Sequence, residues 1–294
     1  MEEVAVEASV AARAVEAARV TAVAQGLRVD DAAVLADSNR IVLRLLPADV
    51  VARVSPAAER SEARFELEVG RRLAGLGAPA EAPDPRVSPR VHERDGFVVT
   101  LWTHYEQRAR PDVTATGYVQ ALLRLHDGLR RIDVAAPHAT DRVVLARACL
   151  TDEERTPELC RDDRGLLIDV LDGVGAAVFR DGSGDRLLHG EPHLGNVLST
   201  PAGVRFVDLG TCCRGPVEFD VAHSLGPDPG RRMLRWIDEI REHCPGLDPE
   251  LVEQSRILVL AIVTTWRWCR GDQLPDGRRR AAEGLHGIRT ALGA

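Results

Sequence analysis

Apolar residues recur at helical spacing in two stretches near the start of the chain. Residues 3–25 are rich in Ala, Glu and Arg, and Gly26 follows where a helix is expected to end. Residues 57–76 place their apolar side chains on one helical face, and Gly77 follows them. That face consists of Phe65, Val69, Leu73 and Leu76. The pattern therefore predicts two helices.

Short segments rich in β-branched residues lie between and after these helices. Turn-forming residues at 37–39 separate the first two of them. We predict a small antiparallel meander from residues 32–36, 40–46 and 49–54. Two further strands are predicted after a proline-rich connector, around residues 89–94 and 96–102.

The chain becomes mostly helical after Trp102, beginning with an amphipathic pattern over residues 116–129. Later helices are predicted at residues 216–225, 230–242, 248–271 and 277–291. A small sheet with one helix, followed by a larger helical region, predicts an α+β fold with two lobes. We expect a small N-terminal lobe over residues 1–101 and a larger, mostly helical C-terminal lobe over residues 102–294.

Charge and hydropathy narrow the classes of function. The 294 residues carry a formal net charge of -7, which argues against a nucleic-acid partner. The longest strongly apolar run, residues 257–263, is far shorter than a membrane-spanning helix, so we expect no membrane partner. Lysine is absent, and every cationic role must therefore fall to arginine.

The N-terminus and the cysteines bear on the cellular compartment. The first ten residues are acidic and lack the basic region and long apolar core of a signal peptide. The six cysteines form no CxxC pair, and we expect them to remain reduced. Both features predict a cytoplasmic protein.

The segment LLHGEPHLGNVLSTPAGVRFVD, residues 187–208, carries the candidate chemistry. Glu191 is followed by Asn196 five residues later and by Asp208 twelve residues after that. Phosphoryl transfer requires positioned metal ions and a group that orients the acceptor hydroxyl. Asn196 and Asp208 provide the oxygen ligands that Mg²⁺ prefers, and Glu191 could accept the hydroxyl proton. The segment predicts a phosphotransferase site.

A zinc hydrolase is the less favoured alternative for this segment. His189, Glu191 and His193 alternate, and on an extended strand they would point to one face as in a zinc site. Gly190 and Pro192 favour a loop instead. A zinc site would also leave the later amide and carboxylate without a role.

The segment resembles the HGDxHxxN loop and the following metal-binding Asp of the aminoglycoside phosphotransferase and choline kinase-like family. The resemblance extends over most of residues 37–225. It is carried by VVARV at 50–54, FELEVGRRLAGLGAPA at 65–80, VVTLW at 98–102, LLRLH at 122–126 and GPVEFDVA at 215–222. It implies a protein-kinase-like fold in which ATP or GTP lies between the lobes.

The resemblance also implies roles in nucleotide binding. Arg53 stands where the family keeps a cation, usually Lys, for the nucleotide phosphates. Its carboxylate partner is Glu66 or Glu68, which the spacing alone does not separate. The remaining implied contacts are a turn at Ser38 and Asn39 over the phosphates, and backbone from Leu101 to Thr103 for the adenine.

In the catalytic loop the chain departs from the family at Glu191, where Asp is usual. One extra methylene moves the carboxylate by about an ångström, and a misplacement of that size can lower a rate about a hundredfold. An active enzyme is favoured, and a catalytically silent nucleotide- or ligand-binding protein is the alternative. The resemblance implies structural support of the loop by His189 and Asp220. Asp220 could also cap a helix.

Charge near the catalytic loop bears on the acceptor. Residues 151–185 hold ten acids and four arginines, which leaves a local charge of -6. In the family this region helps to form the acceptor pocket, so a cationic small molecule such as an aminoglycoside-like antibiotic is favoured. A solvated helical face would explain the same charges. The sequence leaves the acceptor, the choice of ATP or GTP and the oligomeric state open.

Overall fold

The computed structural model describes residues 2–37, 40–107, 113–180, 182, 184–224, 239–240, 242–272 and 274–293, with backbone alone over residues 2–9. The chain divides into two compact units that are interleaved in sequence. Unit 1 comprises Met1–Val113, Leu123–Val134 and Val197–Thr211. Unit 2 comprises Thr114–Leu122, Ala135–Asn196 and Cys212–Ala294. This division differs from the prediction of one boundary between residues 101 and 102.

Unit 1 is built on an antiparallel sheet whose described strands run in the order β1-β2-β3-β5-β4. The strands are β1 (Val29–Asp37), β2 (Ile41–Pro47), β3 (Val50–Pro56), β4 (His92–Arg94) and β5 (Phe97–Thr103), and the helices are α1 (Glu2–Ala24) and α2 (Arg60–Gly75). The predicted first helix, meander and second helix are confirmed, with ends that differ by a few residues. The core of this unit lies between α1 and the sheet.

Alternation in the strands explains this core. Leu43 and Leu45 on β2 are fully buried, as are Val50 and Ala52 on β3. Side chains two residues apart in a strand share a face, so these positions present one apolar surface. On the helix, small residues let the backbone approach that surface closely: Ala14, Ala17, Ala18 and Ala22 are buried there. The sequence pattern thus determines the packing of this unit.

Helices dominate the rest of the described chain. They are α3 (Ala115–Arg130), α4 (Thr140–Thr151), α5 (Arg161–Val178), α6 (Val217–Ser224), α7 (Pro249–Trp268) and α8 (Gly277–Leu292). In unit 2, α7 contributes a continuous buried run from Ile257 to Ile262, and it contacts α5, α6 and α8. Asp248 caps α7, since its side chain accepts a 2.9 Å hydrogen bond from the Glu250 amide. The predicted helix at residues 230–242 lies largely outside the described residues.

Each unit contains one short antiparallel strand pair next in sequence to a candidate site residue. In unit 2, β6 (Arg186–Leu188) pairs antiparallel with β9 (Cys213–Gly215). In unit 1, β7 (Val197–Thr200) pairs antiparallel with β8 (Gly203–Phe206). The HGEPH segment therefore begins at the end of β6, and Asp208 follows the end of β8.

The cysteine prediction needs a correction. Cys149 at the end of α4 and Cys269 just after α7 form a disulfide, although we expected all six cysteines to be reduced. A separation of 120 residues carries no local signal of this pairing. Cys160, Cys212, Cys213 and Cys244 carry thiols. None of the helices that the structure describes is long and apolar enough to cross a membrane.

Candidate active site

The candidate catalytic loop of unit 2, residues 189–196, is held by a buried carboxylate. Asp220 on α6 accepts hydrogen bonds from the His189 amide at 2.9 Å and from the Gly190 amide at 2.7 Å. Asp220 and His189 are fully buried. Because α6 begins at Val217, three residues earlier, Asp220 is not the residue that caps it. His189 accepts a 3.3 Å hydrogen bond at Nδ1 from the amide of Glu191, which ties the loop to itself.

Glu191 is anchored by an arginine that the sequence did not point to. Arg142 on α4 donates from Nη1 to Glu191 Oε1 at 2.9 Å and to the Gly190 carbonyl at 3.0 Å. Nε2 of His193 lies 3.8 Å from the other carboxylate oxygen. The Glu191 side chain retains 36% of its exposure. The carboxylate is therefore held on one side and accessible to solvent.

Asn196 is oriented by the same loop. Its Nδ2 donates to the Glu191 carbonyl at 3.0 Å, so Oδ1 is the atom that can act as a metal ligand. Tyr118 supports the loop from α3 by donating from its hydroxyl to the Pro192 carbonyl. Burial raises the pKa of Tyr118 well above its ordinary value, which keeps this donor protonated.

In unit 1, Arg53 lies between two buried carboxylates. Its Nη1 is 2.6 Å from Glu66 Oε1 and 2.8 Å from Glu81 Oε1, and its Nη2 bonds the second oxygen of Glu81. The guanidinium carbon also lies 4.7 Å from the centroid of the Trp102 ring. Of the two predicted partners, Glu66 is the one that Arg53 contacts. Glu68 instead bonds Arg71 and Arg72.

Charge pairing outweighs burial at this arginine. Burial lowers the pKa of Arg53, but the charges of Glu66 and Glu81 more than offset this, and the pKa is raised above its ordinary value. Burial raises the pKa of Glu66 against the opposing charges of Arg53 and Arg40. These groups form one network, because the pKa of each depends on the charges of the others.

The network continues to Asp208. Glu81 Oε1 accepts hydrogen bonds from the Asp208 amide at 2.9 Å and the Leu209 amide at 3.4 Å. Asp208 has a φ of 67°, a left-handed conformation that is uncommon for a non-glycine residue, and these hydrogen bonds help to hold it. Its Oδ1 accepts from Nη2 of Arg40, whose Nη1 lies 2.7 Å from Glu66 Oε2. Neither Glu81 nor Arg40 was predicted as a site residue.

The backbone predicted to receive the adenine is engaged by the chain itself. The Leu101 carbonyl accepts from the Asp84 amide at 3.1 Å, and the Thr103 amide donates to the Ala82 carbonyl at 2.9 Å. As long as this pairing holds, the Thr103 amide is not a donor for a base. The reason is that the proline-rich connector runs beside β5 and bonds its outer edge. The other predicted nucleotide contacts, Ser38 and Asn39, fall outside the described residues.

The oxygen donors fit a hard cation better than zinc. Asp208 offers a carboxylate and Asn196 an amide oxygen, the ligand types that Mg²⁺ prefers. Among the residues that the structure describes, no group of three or more His, Cys, Asp or Glu side chains is placed to hold a metal ion. The zinc hydrolase alternative therefore finds no ligand set in that part of the chain.

Comparison with known families decides the class of this chain. A model of the phosphotransferase enzyme family matches residues 31–250, well over half of the sequence. The chain belongs to this family. It is an enzyme that transfers a phosphoryl group to a hydroxyl acceptor, as the sequence analysis predicted. No curated protein sequence shows a significant match to this phosphotransferase.

Solved structures confirm the kinase-like α+β fold of this phosphotransferase. It is similar to amicoumacin kinase in complex with AMP-PNP, Ca²⁺ and Ami, with a TM-score of 0.68 and 13% identity over 90% of this chain and 89% of that chain. Aminoglycoside phosphotransferase APH(3'')-Id from Streptomyces rimosus gives a TM-score of 0.59 and 17% identity over 79% and 92%. A choline/ethanolamine kinase family protein from Mesorhizobium loti gives 0.61 and 15% over 90% and 88%.

Proposed function

We propose that this phosphotransferase moves the γ-phosphoryl group of ATP or GTP to a hydroxyl of a small polar molecule. The catalytic loop carries the proposal, because Asp220 and Arg142 hold it in a defined conformation around Glu191. Two similar structures support a nucleotide donor, since one is a complex with AMP-PNP and another a complex with ADP and hygromycin B.

Each site residue takes a separate role in the proposed reaction. Glu191 accepts a hydrogen bond from the acceptor hydroxyl and orients it for attack. Asn196 and Asp208 would contribute oxygen ligands to Mg²⁺, which when bound would neutralise charge on the nucleotide phosphates. Arg53 and Arg40 are the candidate phosphate cations of unit 1. Asp220 and His189 keep the loop backbone in place and do not touch the reacting atoms.

A cationic acceptor remains the favoured substrate class. Similar structures were solved with hygromycin B, streptomycin and kanamycin. Several acids in the region that suggested this preference are paired with arginines of the same unit: Glu158 with Arg278, Asp163 with Arg289 and Asp172 with Arg147. These pairs offset part of the local negative charge, so the preference rests on the other acids of residues 151–185.

A substrate panel tests the proposal directly. The protein is incubated with Mg-ATP or Mg-GTP and aminoglycosides, peptide antibiotics, choline or simple sugars, and the products are identified by mass spectrometry. We expect one acceptor to gain a single phosphoryl group. Absence of any phosphorylated product, together with no nucleotide-induced shift in melting temperature, would overturn the proposal.

A catalytically silent binding protein is the second candidate, and Glu191 is the reason to consider it. The side chain is one methylene longer than the family's Asp and is tied to Arg142. The variant Glu191→Asp separates the two functions. If the wild-type protein binds nucleotide without turnover and the variant gains turnover, the silent function is correct. If the wild type already turns over, it is excluded.

A further inference from the structure

The two terminal nitrogens of the Arg53 guanidinium are committed within the protein, whereas its buried Nε has no hydrogen-bond partner among the described residues. Both of its terminal nitrogens bond carboxylates, the ring of Trp102 covers one face, and the residue is only 8% exposed. Its partners Glu66 and Glu81 are also buried. Redirecting Arg53 to a nucleotide phosphate would leave a buried carboxylate without its counter-charge, which is strongly unfavourable. Arg53 is therefore suited to building the site rather than to binding phosphate.

Arg40 has the accessibility and the contacts that Arg53 lacks. Its side chain is 23% exposed, and it joins Glu66 to Asp208, whose side chain is 35% exposed. One guanidinium nitrogen thus bonds the buried carboxylate of Glu66, and the other bonds the carboxylate of Asp208, which is proposed to bind the metal. A metal ion and Arg40 would compete for the same oxygen of Asp208.

The charge balance of this network favours an exchange. Glu66, Glu81 and Asp208 face two guanidinium groups, so the network carries one net negative charge when all three carboxylates are ionised. A divalent cation on Asp208 would reverse that balance to one net positive charge. The displaced guanidinium of Arg40 would then find its best partner in a phosphate oxygen, which accepts its fork in a bidentate manner.

We propose that Arg40 is the arginine of unit 1 that contacts the nucleotide phosphates. In the structure Arg40 bonds both Glu66 and Asp208. With a metal-bound nucleotide present, Arg40 would exchange Asp208 for a phosphate oxygen and keep its bond to Glu66. Arg53 remains between Glu66 and Glu81 throughout. This inference rests on the proposed function, because it takes a metal-bound nucleoside triphosphate as the donor.

The variant Arg40→Gln tests the exchange through two binding constants. Affinity for Mn²⁺ without nucleotide is measured by electron paramagnetic resonance, and affinity for Mg-AMP-PNP by titration calorimetry. We expect Mn²⁺ to bind roughly threefold more tightly, because a competing charge has been removed, and Mg-AMP-PNP to bind at least about tenfold more weakly. Adenosine, which has no phosphate, should show no change between variant and wild type. If Arg40 were purely structural, its replacement by Gln would not strengthen Mn²⁺ binding.

Matched variants separate this role from others. Arg44→Gln removes an arginine on β2, the strand that begins directly after Arg40. Arg44 pairs with the exposed Asp49, and its loss should alter neither affinity. Asp208→Asn should abolish the Mn²⁺ binding that Arg40→Gln strengthens. Arg40→Lys keeps the charge and should recover part of the affinity for Mg-AMP-PNP. Arg53→Gln should mainly lower the melting temperature.

The outcomes distinguish this inference from the proposed function. If an acceptor is phosphorylated but Arg40→Gln leaves both affinities unchanged, the inference is overturned and the function stands. The same holds if a folded Arg53→Gln loses Mg-AMP-PNP binding while Arg40→Gln keeps it. If Arg40→Gln shifts the two affinities in opposite directions and no acceptor is ever phosphorylated, the inference stands and the function fails. A wild type that binds no nucleotide overturns both.

Discussion

Arg142 Nη1 donates to Glu191 Oε1 at 2.9 Å while the same nitrogen donates to the carbonyl of Gly190. One side chain therefore holds both the carboxylate of Glu191, which is proposed to orient the substrate hydroxyl, and the backbone of the preceding residue. This dual contact can compensate for the longer side chain of Glu191. A carboxylate displaced by one methylene can still be held in a defined place if a neighbouring cation determines where it rests.

Arg142→Ala should lower kcat about 10- to 100-fold with little change in the dissociation constant of the nucleotide. The variant leaves Glu191 without its anchor, so the carboxylate samples more rotamers. Steady-state kinetics with the acceptor found by the panel measures kcat, and calorimetry measures nucleotide binding. Arg147→Ala, on the same helix and paired with exposed Asp172, is the control and should keep wild-type kcat. Equal effects of the two variants would contradict a positioning role.

Glu81→Gln should lower the free energy of unfolding by about 2–3 kcal/mol. The change removes one counter-charge from buried Arg53 and weakens the acceptor of the Asp208 amide. Urea denaturation measures the effect. Glu68→Gln is the matched control on an acid that bonds partly exposed Arg71 and Arg72, and it should cost less than about 1 kcal/mol. A Glu81 variant as stable as the Glu68 variant would refute the buried network.

Asp220→Ala should destabilise the protein by about 2–4 kcal/mol and abolish turnover. Two buried backbone amides, those of His189 and Gly190, lose their acceptor, and the loop that carries Glu191 loses its support. Thermal unfolding and the phosphorylation assay measure the two effects. Asp127→Ala on α3 removes an exposed carboxylate paired with Arg130 and should leave both unchanged. Full activity of a folded Asp220→Ala protein would show that the loop holds itself.

His223 should make the folded state lose stability as the pH falls below about 6.5. Burial lowers the pKa of His223 well below its ordinary value, with smaller effects from Arg142, Asp220, His193 and His189. The unfolded chain therefore binds a proton in a pH range where the folded chain does not. Stability from this group is fully present above the unfolded pKa and declines by at most about 1.4 kcal/mol per pH unit below it.

The pH dependence is measured by urea denaturation between pH 7 and pH 5. His223→Phe should flatten the decline, because Phe carries no group that binds a proton. The site should accept Phe, since the imidazole packs edge-on against Phe219 at 4.9 Å and its Nε2 has no partner among the described residues. His243→Gln, on an exposed histidine, should keep the wild-type slope. A slope unaffected by His223→Phe would assign the dependence to other groups.

Local pattern predicted much of this fold because neighbouring residues along the chain decide it. Helical spacing in residues 3–25 and 57–76 and alternation in β2 and β3 require only residues a few positions apart. The HGEPHLGN loop was also recognisable, because Glu191 and Asn196 lie only five residues apart in the chain. The pairing of the β5 edge was not recognisable for the opposite reason, since the connector that bonds this edge lies some twenty residues earlier.

By itself, therefore, the sequence determined the α+β class and the family, and it predicted the candidate catalytic loop. Tertiary structure alone decided which charges complete the site. Arg142 reaches Glu191 across 49 residues, Glu81 reaches the Asp208 amide across 127, and Arg40 reaches the Asp208 carboxylate across 168. Such pairs have no period and no fixed spacing, so no local pattern can mark them. Burial makes them decisive, because a charge removed from water is stable only beside the partner that folding brings to it.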